Sequence, residues 1–76
     1  MGTKNKPGQF DCYAKAEPHE PMFTLLARDP LAPMLVELWA SMREHLAGNP
    51  SKVAEARQCA KDMRVWLRAW LSRNTS

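Results

Sequence analysis

The chain has 76 residues, 45% of them apolar, and a net charge of +3. That length allows one domain at most and a small core, and the apolar content excludes wholesale disorder. The charge is uneven: residues 50–76 hold six Lys or Arg against two acids, a balance of +4, while residues 1–49 sum to −1.

Residues 1–9 are polar and broken by Pro7 and Gly8, which reads as a flexible tail. Nothing in them reads as a signal peptide or a myristoylation site. A single small helical domain is expected over 10–76. The run Phe10 to Ala16 fits either one short helical turn or an extended arm, with Phe10 and Tyr13 as its docking surface. Pro18 and Pro21 prevent a continuous helix around His19-Glu20. Pro21 in turn predicts a short helix over about 21–28, carrying Met22, Phe23, Leu25 and Leu26 to cap one end of the main body.

Asp29-Pro30 predicts the start of the next helix, with Asp29 as N-cap and Pro30 at the first position. Pro33 falls inside its first turn, where few hydrogen bonds are lost. Leu35, Leu38, Met42 and Leu46 then repeat at helical spacing, with Leu31, Met34 and Trp39 alongside, and Glu37 and Glu44 placed toward water. Gly48 is the expected stop, in a left-handed conformation. The helix therefore spans about 30–47.

After a link of Gly48, Asn49 and Pro50 comes the longest helical pattern, about 50–73, roughly 35 Å if helical throughout. Val53, Ala56, Ala60, Met63, Leu67 and Trp70 form its seam, widened by Cys59 and Trp66. Arg57, Lys61, Arg64 and Arg68 make a basic stripe on another face, and Trp66 and Trp70, four apart, are set to stack. A link this short favours an antiparallel pair. The expected fold is all-α: an antiparallel two-helix hairpin, one short preceding helix and an N-terminal arm. So small a unit with apolar residues on two sides would complete its core by forming a homodimer or by docking on another protein.

Sites for chemistry are scarce in the sequence. Cys12, His19, His45 and Cys59 match no zinc spacing, and the two cysteines read as free thiols of a reducing cytoplasm. Cys59 and His45 as a nucleophilic pair are weighed against a buried small thiol and a rim histidine, and the latter is preferred. Arg28 and Asp29, at a helix junction, read as a local pair or as partners of a free backbone end, with an exposed Arg28 beside the basic stripe as the functional alternative. The three glycines are isolated, so no phosphate-cradling loop is expected. No apolar run approaches the ~20 residues of a membrane span. These features predict a protein that is not an enzyme and carries no cofactor or metal.

In Phe10-Asp11-Cys12-Tyr13, Glu20-Pro21-Met22-Phe23, Leu25-Leu26-Ala27-Arg28-Asp29-Pro30, Ala32-Pro33 and Trp39-Ala40, the chain resembles a group of small tailed-phage and prophage proteins of proteobacteria. Further on the resemblance includes Glu55-Ala56, Cys59-Ala60, and Met63 with Trp66. It covers residues 10 to about 70. His19 departs from the pattern, standing where the group carries an acidic residue. The resemblance implies a phage-encoded protein working in the host cytoplasm. It transfers no catalytic residues. By analogy with such proteins, the expected role is to bind and modulate a host protein complex, for example transcription machinery or a defence system.

The residues expected to bind the partner are Arg57, Lys61, Arg64, Arg68, Trp66 and Trp70, since Trp and Arg are enriched at interface hot spots. Each carries a bland alternative as well, a solvated basic face and hairpin packing. Two other functions compete: a nucleic-acid binder using the basic C-terminal helix, and a subunit self-assembling through Leu35, Leu38, Met42, Met63 and Leu67.

Overall fold

The structure, a computed structural model, describes residues 1–74. It contains α1 (Cys12–Lys15), α2 (Ala32–His45) and α3 (Pro50–Asn74), with no strand among the described residues. The two long helices pack against each other as the expected all-α hairpin. The molecule is elongated, 43 × 29 × 20 Å with a radius of gyration of 13.5 Å, against roughly 11 Å for a rounded domain of this length.

The inner surface of the hairpin is built from small side chains. Ala32, Ala40, Val53, Ala56 and Ala60 are buried, and among the described residues no large side chain is fully so. Val36 and Met1 pack beside the cluster of Ala40, Val53 and Ala56. Alanine at these positions lets two helices approach toward the near end of the usual roughly 8–10 Å separation. The seam expected on α3 holds at its N-terminal half, where Val53, Ala56 and Ala60 are buried; Met63, Leu67 and Trp70 are half-buried.

On α2 the expected face is corrected. Leu35, Leu38, Met42 and Leu46 are 40–71% exposed, as are Leu31 and Met34 at 55% each. At 3.6 residues per turn, Leu31, Leu38 and Met42 point within about 20° of directly away from Ala40. The helix carries two apolar faces, and the one with the smaller residues meets α3.

The short helix expected over 21–28 does not form; residues 21–26 are irregular and 27–31 are turn and bend. Met22, Phe23 and Leu26 stay 50–86% exposed. A segment of this length cannot repay helix nucleation without burying a face, and Pro30 restricts the residue before it. Turns close the segment instead, with Asp29 N–H donating to the Leu26 carbonyl (3.0 Å) and Ala32 N–H to that of Asp29 (3.0 Å). One helical turn forms earlier, at α1, where the Asp11 carboxylate accepts from Tyr13 N–H (3.1 Å).

Helix α2 also begins two residues later than expected. Leu31 is its N-cap and makes no side-chain cap bond. Asp29 instead accepts from Leu31 N–H (2.9 Å), one turn ahead. The buried Pro33 sits in the first turn, where its missing N–H has no intrahelical partner to lose.

The α2 stop is likewise corrected. Ala47, not Gly48, takes the left-handed conformation, with φ of 58°. Gly48 N–H donates to the Arg43 carbonyl (2.7 Å) and Ala47 N–H to that of Glu44 (3.2 Å), the paired bonds of a Schellman cap. The glycine serves close approach, since a Cβ there would lie 2.8 Å from the Arg43 carbonyl oxygen. At the other side of the link, Asn49 caps α3 as expected by accepting from Ser51 N–H (2.9 Å).

The first ten residues contain no helix or strand and lie back along α3. Gln9 N–H donates to the Glu55 carboxylate (3.0 Å), and the Met1 ammonium sits 3.8 Å from the same group. This places Phe10 and α1 near the closed end of the hairpin.

Candidate functional site

The expected partner-binding residues all lie on α3, but the structure divides them between two flanks. Arg57 pairs with Glu44, and Arg64 with Glu37, the latter through two hydrogen bonds, one of 3.1 Å. Glu37 and Glu44 are two turns apart on α2, as Arg57 and Arg64 are on α3 in the opposite order. One register of the antiparallel pair therefore satisfies both bridges.

The bridges change the electrostatics of the stripe. The hydrogen bond from Arg64 holds the Glu37 carboxyl below its usual range, despite a small opposing desolvation, with Arg57 and Lys61 adding attraction. The same bond raises Arg64. Half of the basic stripe is thus committed to α2. Lys61 contributes to the field at Glu37, and Arg68 has no ion pair among the described residues.

Trp66 and Trp70 stack as expected, with centroids 5.7 Å apart and planes 14° from parallel. Trp66 is 41% exposed. At 100° per residue it stands about 160° around α3 from Arg64, so the aromatic pair and the stripe do not form one patch.

The surface that dominates the exterior is the outer face of α2. Leu31, Met34, Leu35, Leu38, Met42 and Leu46 are each 40–71% exposed, and a contiguous apolar patch of this kind marks an interaction surface. A cleft of about 270 Å³ opens in this face between Ser41, Met42, His45 and Leu46. In the sequence, these residues were indistinguishable from a core seam. The signal for their exposure was the parallel series Ala32, Val36 and Ala40, which offers α3 a closer approach.

His45 is exposed and Cys59 half-buried, and both cysteines are free thiols. Among the described residues no three His, Cys, Asp or Glu side chains gather as a metal-ligand set, and no helix is long and apolar enough to cross a membrane.

No protein-family model, curated protein or solved structure matches this chain. The functional reading therefore rests on its own residues.

Proposed function

We propose that this chain is a non-enzymatic binding module that docks a helical surface of another protein onto the outer face of α2. The observation that carries the reading is the row of large, exposed apolar side chains opposite the alanine-lined face. Leu31, Leu35, Leu38 and Met42 follow one another at spacings of four, three and four, the pattern by which a helix in a groove or a coiled-coil partner is read. The resemblance to small phage proteins supports a host protein complex as the owner of the partner surface, met in the host cytoplasm. Lys61, Arg68 and Trp66, on α3, lie away from this row and take no part in the proposed interface.

A second reading has its own support. The same spacing is self-complementary, so two copies packed through this row would make a four-helix assembly.

Site-specific photo-crosslinking in a proteobacterial host separates these readings. With the photoreactive residue at Leu38 or Met42, the proposal expects a discrete adduct with one host protein, absent when it replaces Lys61. Adducts with a second copy alone would establish self-assembly. Adducts from Lys61 and Arg68 but not from Leu38 would return the interface to the basic stripe and overturn the proposal.

A further inference from the structure

A second, chemically different site lies at the closed end of the hairpin. There α1, α2, the link and the start of α3 enclose a cleft of about 270 Å³, lined among others by Phe10, Lys15, Trp39, Arg43 and Lys52. None of its lining residues is acidic. Three cations from three separate elements converge on it, held by aromatic rings. The Lys15 ammonium stands 5.3 Å from the Phe10 ring centroid. The Arg43 guanidinium and the Lys52 ammonium stand 5.9 and 5.7 Å from that of Trp39.

The contrast with the basic stripe decides what the cleft can do. Arg57 and Arg64 each have a carboxylate of α2. Lys15, Arg43 and Lys52 enter no ion pair among the described residues. Cation–π contact orients a charge without neutralising it, so the cleft keeps about three uncompensated positive charges. It opens beside the N-terminus of a 25-residue helix, whose dipole adds to the same sign.

We infer that this cleft is a phosphate-binding site, taking the phosphate of a nucleotide or of a single-stranded nucleic acid. A carboxylate supplies one negative charge to three cations, whereas a phosphate monoester supplies about two with three strong acceptor oxygens, and a nucleic-acid strand supplies one from each of several consecutive diesters. A planar Arg fork flanked by two Lys point charges suits that group. A base stacks on Trp39 or Phe10 once the phosphate draws a cation off the ring face. The site is independent of the outer face of α2, since Trp39 and Arg43 project from the flank between the two apolar faces.

The test is an NMR titration of the whole chain, following the Trp39 indole N–H and the Arg43 side-chain Nε–H. The titrants are inorganic phosphate, adenosine monophosphate, an oligothymidylate and a poly-glutamate peptide. The site predicts saturable shifts at Trp39 and Arg43, with the indoles of Trp66 and Trp70 unmoved. Arg43→Gln combined with Lys52→Gln should weaken binding at least tenfold. Should that pair disturb the hairpin by circular dichroism, Lys15→Gln on the N-terminal arm tests the same site and should weaken binding at least threefold.

Tighter binding of the oligonucleotide, with log affinity falling against log salt at a slope of about −2 for three contacts, would identify a nucleic-acid strand as the source of phosphate. Equal binding of nucleotide and oligonucleotide would identify a free nucleotide. Binding of poly-glutamate as tightly as phosphate would overturn the phosphate assignment. Silence at Trp39, or shifts confined to Arg57 through Arg68, would overturn the site.

Discussion

The two faces of α2 are both apolar and almost opposite, yet they have opposite fates. Ala32 and Ala40 are fully buried, while Leu38 and Met42 are 55% and 57% exposed. Hydrophobicity alone would bury the larger residues, since each removes more apolar area from water. Alanine wins the inner position because the partner face on α3 is also small, with Ala56 and Ala60 fully buried and Val53 nearly so, and because Glu37 and Glu44 flank that face and meet Arg64 and Arg57. Rotating α2 to bury its leucines would break both bridges and wedge bulky side chains against a close-packed alanine seam. What a helix buries therefore depends on the shape of its neighbour as much as on its own hydrophobic pattern.

The comparison breaks most sharply under substitution by size. Ala56→Leu would force apart the two backbones and should cost roughly 1–3 kcal/mol, read as a lowered midpoint in urea or thermal denaturation. Leu38→Ala, which removes as many carbons as Ala56→Leu adds, should change the stability of the isolated chain by less than about 0.5 kcal/mol, as at an ordinary surface position. Equal losses from the two would mean that the outer face is packed after all. An effect between these two is expected at the end of α2. Ala47 holds a positive φ at some cost, which Ala47→Gly would relieve, for a gain of about 0.5–1 kcal/mol.

The smallest effect belongs to the charged flank. Glu37 has its pKa depressed in the folded state by Arg64. The stability it contributes is therefore present above the unfolded carboxyl value and is lost as pH falls through the lower folded value. Arg64 is raised, so its share would fade only as pH climbs beyond the arginine range. A Glu37→Gln variant should match the parent chain in acid and fall slightly behind it near neutrality, a difference reduced by added salt because the pair is exposed. A gap that persists at the lowest pH would assign the effect to packing.

Much of the architecture was legible in the sequence. The antiparallel hairpin followed from two long periodic stretches and a three-residue link, and Asn49-Pro50 marked the start of α3. The stacking of Trp66 on Trp70 followed from their spacing. What was not legible depended on a second body. Leu35, Leu38, Met42 and Leu46 have the period of a core seam whichever way they face, and only the alanines opposite decide the matter. The segment around Met22 to Arg28 has helical spacing but no face to bury, so its prolines and Asp29 prevail. Gly48 announced a stop, although the residue that turns left-handed is its neighbour. The cleft of Lys15, Arg43 and Lys52 joins residues up to 37 positions apart, and no local pattern links them. The Trp39–Arg43 spacing of four was its single local trace.

The central claim is that α2 turns its small face inward and its large face outward. The direct measurement is the broadening of methyl resonances by a soluble paramagnetic probe, with Ala, Leu and Met labelled and the chain held monomeric, as checked by sedimentation. The account predicts strong broadening at Leu38 and Met42 and sharp, protected signals at Ala40 and Ala56. Protected Leu38 and Met42 methyls in the monomer, with Ala40 broadened, would show the helix rotated the other way and remove the proposed binding face.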